Sequence, residues 1–183
     1  SDLLATLNVD QKSIYQKLIN AIRNGDGGVF FVYGHGGTGK THLWRTLTSA
    51  VRSEGEIILA VASSGTASLL IPGGRTAHSR FGIPLTINED STCNIRQGSQ
   101  LVELLVKAKA IIWDEAPMVS RYCFEALDKS LRDVLRFSNP NSENLPFGGK
   151  VVIFGGDFRQ ILPVVTRKSK ANIVNASLCS SYL

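Results

Sequence analysis

Cysteine is scarce in this chain: 183 residues hold three, Cys93, Cys123 and Cys179. The number is odd, the spacings are long and no Cys-x-x-Cys occurs. That points away from a disulfide framework or a zinc site and fits a reducing compartment. Long hydrophobic runs are missing too. No stretch approaches the roughly 18 consecutive apolar residues of a spanning helix, so no membrane partner is expected. The first residues lack a basic segment followed by an apolar one, and no secretory signal is visible in them. Neither an internal repeat nor a low-complexity linker divides the chain. Charge of one sign is only mildly in excess, with 20 Lys+Arg against 15 Asp+Glu and a net of +5. That balance permits a nucleic-acid partner without arguing for one. Part of it sits at Lys150, Arg159, Arg167, Lys168 and Lys170, where a solvated surface explains it equally well. A hydrophobic content of 43% excludes disorder, and the length suits one domain with a real core.

What is present is more specific. Residues 34–41 read Gly-His-Gly-Gly-Thr-Gly-Lys-Thr, a complete phosphate-binding loop of the form G-x-x-x-x-G-K-[ST]. It follows the apolar run Val29–Tyr33 and precedes a helix expected from Thr41 to about Ser53. In that context the backbone N–H groups and the helix N-terminus face phosphates. Gly34, Gly36, Gly37, Thr38 and Gly39 form the cradle. Lys40 reaches the β- and γ-phosphates of a nucleotide, and Thr41 is a Mg²⁺ ligand.

The remaining pattern alternates strands and helices, which predicts an α/β fold with a parallel sheet. Asp10 can cap an opening helix with apolar positions Ile14, Leu18, Ala21 and Ile22. Ile57–Ala62 reads as a buried strand, and a short helix follows through Leu70. Residues 84–99 form a long polar stretch, a functional loop, a small insertion or a simply mobile segment. Leu101–Lys107 suits a short helix, Ala110–Trp113 a third strand and Val151–Phe154 a fourth. Between the last two strands, Phe124, Leu127, Leu131 and Leu135 recur at helical spacing. Trp44 and Trp113 lie among apolar neighbours and read as core.

Two acids, Asp114-Glu115, end the third strand, at the edge where open α/β sheets bind ligands. An Asp there can hold Mg²⁺, and the neighbouring Glu can orient or deprotonate an attacking water. The fourth strand ends in Gly155-Gly156-Asp157-Phe158-Arg159-Gln160, whose glycines allow close backbone approach. Gln160 is placed to sense a γ-phosphate, and a polar turn closed by Pro163 is the plainer reading. After the second strand, Ser63–Ala67 offers hydroxyls and N–H groups to a nucleic-acid backbone. A serine-capped connector accounts for it as well.

Taken together, these segments resemble the first RecA-like motor domain of the Pif1-like DNA helicases of superfamily 1. The likeness is greatest to the type found in plants, oomycetes and rolling-circle transposons. It covers about Leu7 to Leu183. Leu7–Gln11 is similar to the family's adenine-reading segment, which implies Gln11 as the adenine contact. Ala62–Ala67 is similar to its first DNA-contacting motif, implying Ser64, Gly65 and Thr66. Gly74–Gly82 is similar to a region near the single-strand path, where Arg75, His78 and Phe81 become candidate contacts. For His78 a packed residue bonded to a loop carbonyl stays open, and for Phe81 a cover on the sheet. Asp114–Met118 is similar to the Mg²⁺ and water motif, with Ala116-Pro117 where many relatives have Ile-Ser. Gly156–Pro163 is similar to the γ-phosphate sensor.

The resemblance implies a P-loop NTPase fold with helices on both faces of the sheet, ATP and Mg²⁺ as cofactors, and single-stranded DNA as partner. Lys40, Glu115 and Gln160 become the catalytic set, with Thr41 and Asp114 holding the metal. It implies ATP hydrolysis coupled to 5′-to-3′ movement, roles in repair, recombination, telomere maintenance or transposon replication, and a nuclear or mitochondrial location. It also implies a second RecA-like domain, so residues 1–183 are expected to be a fragment that is weak or inactive alone. A non-helicase P-loop NTPase or kinase remains open, as does a binding module inactive through truncation.

Overall fold

A computed structural model describes residues 2–159 and 181–183. Five strands form one all-parallel sheet: β1 (Gly28–Tyr33), β2 (Ile57–Ala62), β3 (Arg75–Thr76), β4 (Ala108–Asp114) and β5 (Val151–Gly156), in the order β1-β5-β4-β2-β3. The helices are α1 (Asp2–Ala5), α2 (Val9–Asn24), α3 (Lys40–Ser53), α4 (Gly65–Leu69), α5 (Ala77–Phe81), α6 (Gln100–Lys107) and α7 (Arg121–Leu135).

The apolar strands have few polar positions because both sheet faces are covered. Successive residues of a strand point to opposite faces. Ile58, Ala60, Ala110, Ile112, Val151 and Ile153 pack with Leu18 and Ile22 of α2 and Leu43, Trp44 and Leu47 of α3. Leu59, Val61, Ile111, Trp113, Val152 and Phe154 pack instead with Phe81, Leu105, Phe124 and Leu127 from α5, α6 and α7. The Trp113 ring lies 4.6 Å from that of Phe124, which meets Phe154 edge-on at 5.0 Å. Both tryptophans are fully buried, as their apolar settings imply.

Two expectations are corrected. The cap of α2 is Asn8, not Asp10. Asn8 Oδ1 accepts from the Gln11 amide at 2.8 Å, and Gln11 Oε1 accepts from the Asn8 amide at 3.0 Å. This is a reciprocal capping box, and it leaves Asp10 inside the first turn, where a carboxylate meets the positive end of the helix dipole. β4 begins two residues before its apolar run because Ala108 already pairs with Ile57 of β2. The polar stretch 84–99 has no helix or strand before Gln100. It is nonetheless pinned: Cys93 is buried, and its amide donates to Ser130 Oγ of α7 at 2.8 Å. Burial pushes the free thiols of Cys93 and Cys123 up to about 12 and about 11, so both stay protonated. Cys179 lies outside the described residues.

Gly155 shows why the end of β5 is glycine. A Cβ there would overlap the Trp44 ring and stand 3.0 Å from Asp114 Oδ1. Gly155→Ala is therefore expected to cost about 1–3 kcal/mol through overpacking. Urea denaturation reads this as a lower midpoint; an unchanged midpoint would mean the contact relaxes freely.

Candidate nucleotide and nucleic-acid site

Parallel strands bring their C-terminal ends to one edge of the sheet. There β1 delivers the phosphate loop, β4 delivers Asp114-Glu115, β5 delivers Asp157, and β2 delivers Ser63-Ser64. Residues scattered from 34 to 157 thus share one rim.

The loop is fixed at several points. The Gly34 amide donates to the Gly156 carbonyl at 3.2 Å, tying the loop to the end of β5. Thr38 Oγ1 donates to the His35 carbonyl at 2.8 Å. Gly39, just before α3, has φ +82, and a Cβ on it would overlap Gln11 Nε2. The positive φ is what favours glycine here, since the Gln11 amide ends a flexible side chain that can move aside. Lys40 Nζ donates to the carbonyls of Gly34 and His35, the second at 3.0 Å, so the ammonium lies across the mouth of the loop. Thr41 follows in the first turn of α3, half-buried.

Asp114 is buried, and its Oδ1 accepts from the Glu115 amide at 3.0 Å. Glu115 has φ +52, a left-handed backbone rare outside glycine. Such a conformation costs about 1–3 kcal/mol and persists only where its surroundings enforce it. Here Ala116 and Pro117 are buried directly after it, and Glu115 Oε2 accepts from Ser64 Oγ at 2.6 Å. Gly36, Gly37, Lys40, Thr41, Asp114 and Glu115 line a cleft of about 450 Å³. A neighbouring cleft of about 390 Å³ is lined by Asn8, Gln11, Ile14, Tyr33 and Lys40. Its mix of amides and apolar surface suits a flat heterocycle beside a phosphate chain. Gln11 Nε2 donates to the Thr38 carbonyl at 3.2 Å within this cleft, and Gly39 and Lys40 line both clefts.

Thr41 and Asp114 are oxygen donors of the kind a hard cation takes. Among the described residues no group of three or more His, Cys, Asp or Glu could hold a metal by itself. A Mg²⁺ that draws most of its ligands from phosphates and water needs no such group.

The expected nucleic-acid set divides. Gly65 and Thr66 are exposed, and Ser64 is half-buried, capping α4 by accepting from the Ala67 amide at 3.2 Å. Both readings of that segment, connector and contact, are therefore geometrically open. Arg75 is exposed on β3. His78 is half-buried, with Nε2 4.0 Å from Cys123 Sγ rather than on a loop carbonyl, and burial lowers its pKa. Phe81 must be corrected. It is fully buried, 6.3 Å from the Trp113 ring, and presents no face to a base. Gln160 lies outside the described residues.

One contact was not anticipated. His35, at a variable position of the loop, places Nδ1 2.7 Å from Asp157 Oδ2. Asp157 is buried, and its Oδ1 also accepts from the Arg159 amide at 2.9 Å. The His35 hydrogen bond foremost, then the Arg159 amide, holds the Asp157 carboxyl below the usual range. A carboxyl so lowered stabilises the fold fully above its unfolded pKa of about 4 and loses that contribution as pH falls through the depressed value. The gap in melting temperature between the parent and Asp157→Asn should thus be widest near neutrality and close in acid. A gap unchanged by acid would show that ionisation of Asp157 contributes nothing.

A family model described as PIF1-like helicase matches residues 6–183. The chain belongs to the PIF1-like helicase family. Among curated relatives, ATP-dependent DNA helicase PIF4 of Trypanosoma brucei brucei is 34% identical over 143 residues, covering 75% of this chain and 17% of the relative. ATP-dependent DNA helicase PIF1 of Danio rerio is 33% identical over 156 residues, covering 85% of this chain and 23% of the relative. The chain thus spans less than a quarter of either relative's length. The fold is shared as well. A crystal structure of Pif1 helicase from Bacteroides in complex with ADP-AlF3 and ssDNA matches with a TM-score of 0.68 at 32% identity, over 88% of this chain and 35% of that one. Bacteroides Pif1 bound to ssDNA matches with a TM-score of 0.65 at 31% identity, over 93% of this chain and 36% of that one. The parallel sheet flanked by helices is the RecA-like fold of these Pif1 helicases.

Proposed function

We propose that this domain binds and hydrolyses ATP as the first motor domain of an ATP-dependent DNA helicase, and that hydrolysis drives 5′-to-3′ movement on single-stranded DNA. The observation that carries this reading is the shared rim. A phosphate loop, an acidic pair and a hydroxyl-bearing segment meet at one sheet edge, in a chain of the PIF1-like family. The names of the relatives and the ADP-AlF3 and ssDNA in the Bacteroides complex support it.

Each residue has a distinct task. The loop amides and Lys40 hold the β- and γ-phosphates and offset charge growing on their oxygens. Thr41 and Asp114 would hold Mg²⁺, which supplies further charge neutralisation on the phosphates. Glu115 orients a water and takes its proton as oxygen attacks the γ-phosphorus, with ADP leaving. Gln11 contacts the adenine, and Gln160 reports the γ-phosphate to the rest of the motor. Catalysis of this kind is positioning and electrostatics, with no covalent intermediate on the protein. Ser64, Gly65, Thr66, Arg75 and His78 face the DNA backbone. A second RecA-like domain completes the ATP site in the full-length protein, and opening and closing of the pair moves the strand. Nucleus or mitochondrion is the compartment this reading carries, and repair, recombination, telomere maintenance or transposon replication its setting.

The test is directional. The full-length gene product with ATP should displace streptavidin from the 3′ end of a biotinylated single strand faster than from the 5′ end. Equal rates at both ends, or none, would contradict directed movement.

A further inference from the structure

We propose that Ser64 is a positioning residue through which nucleic acid controls Glu115. The inference rests on the reading that Glu115 activates water and that residues 64–66 meet DNA phosphates. Its ground is one hydrogen bond. Ser64 Oγ donates to Glu115 Oε2 at 2.6 Å, across 51 residues of sequence. Neighbouring bonds stiffen the junction. The Ser63 amide donates to the Asp114 carbonyl at 3.1 Å, and Trp113 Nε1 donates to Ser63 Oγ at 3.0 Å. Trp113 is fully buried, so the segment after β2 is anchored to the acidic end of β4 through the core. The left-handed backbone of Glu115 is held in this frame.

A serine hydroxyl has one proton and two acceptor lone pairs. Ser64 spends the proton on Glu115 and a lone pair on the Ala67 amide. A phosphate oxygen is an acceptor only, so it can bind this hydroxyl only by taking the proton from Glu115. The two bonds are mutually exclusive. With Ser64 on Glu115, one lone pair of Oε2 is taken and the carboxylate is oriented by the serine rather than by an attacking water. With Ser64 on a DNA phosphate, the carboxylate is released to reorient within the cleft it already lines with Lys40 and Thr41. Hydrolysis is then restrained until DNA arrives, and the restraint and its release are the same hydroxyl.

Ser64→Gly and Ser64→Thr separate this from a structural role. Glycine is nearly as good a helix N-cap as serine but donates nothing from a side chain, whereas threonine keeps both functions. In the full-length gene product, Ser64→Gly should raise ATP turnover without DNA on the order of ten-fold, what one hydrogen bond to a charged group is worth. Turnover at saturating single-stranded DNA should stay near the parent's, KM for ATP should not change, and the stimulation ratio should collapse. Ser64→Thr should restore the parent's ratio. Parallel anisotropy with labelled DNA reports affinity. If Ser64→Gly binds DNA more weakly but leaves DNA-free turnover unchanged, Ser64 is a contact and no relay, and the proposal falls while the helicase reading stands. A uniform drop with and without DNA overturns it equally. A parent that ignores DNA altogether would remove the underlying reading as well.

Discussion

Replacing Lys40 with alanine is expected to lower kcat/KM for ATP by at least about 10²–10³, the loss seen when one preorganised charge-stabilising donor is removed from a reaction centre. Among the described residues, Lys40 Nζ bonds only loop carbonyls, those of Gly34 and His35. Those bonds hold the ammonium across the mouth of the loop, within the cleft shared with Asp114 and Glu115. Alanine is a better helix former than lysine, and the side chain adds nothing to either buried cluster. The variant should therefore melt near the parent temperature while turnover vanishes. Steady-state hydrolysis by the full-length gene product checks this. Unchanged turnover would remove Lys40 from the site and the loop's assignment with it.

Glu115→Gln separates binding from chemistry. Its expected signature is nucleotide affinity near the parent's with hydrolysis down by about 10²–10⁴, the usual contribution of a general base. A glutamine oxygen can still accept from Ser64 Oγ, so the bond at 2.6 Å has a substitute and the local frame persists. The amide cannot take a proton from water. Titration with a fluorescent ATP analogue, beside single-turnover hydrolysis, reads the two steps separately. Affinity lost together with hydrolysis would assign Glu115 a structural role, one its left-handed backbone would make intelligible.

Much of the placement of the candidate site was legible because its signals are local. The loop at 34–41 matches a motif at every position, and apolar runs ending in Asp114-Glu115 and Gly155-Gly156 announced parallel strands with polar tips. Other features depend on contacts that no local pattern encodes. His35 and Asp157 meet across 122 residues, and Ser64 and Glu115 across 51. β3 has two residues and α5 has five, too few for a period to emerge, so the burial of Phe81 was not readable from spacing. Asn8 could have been found: Asn-x-x-Gln is a capping-box signature, and it competes directly with Asp10.

The central claim, a motor whose ATP site answers to DNA, is tested most directly by ATP hydrolysis with and without single-stranded DNA, in the full-length gene product and in this 183-residue chain side by side. Strong stimulation by DNA in the long form, with little turnover in the short one, is the predicted result. A folded long form that binds ATP yet turns over at one rate with or without DNA would contradict it and point to a P-loop enzyme of another kind.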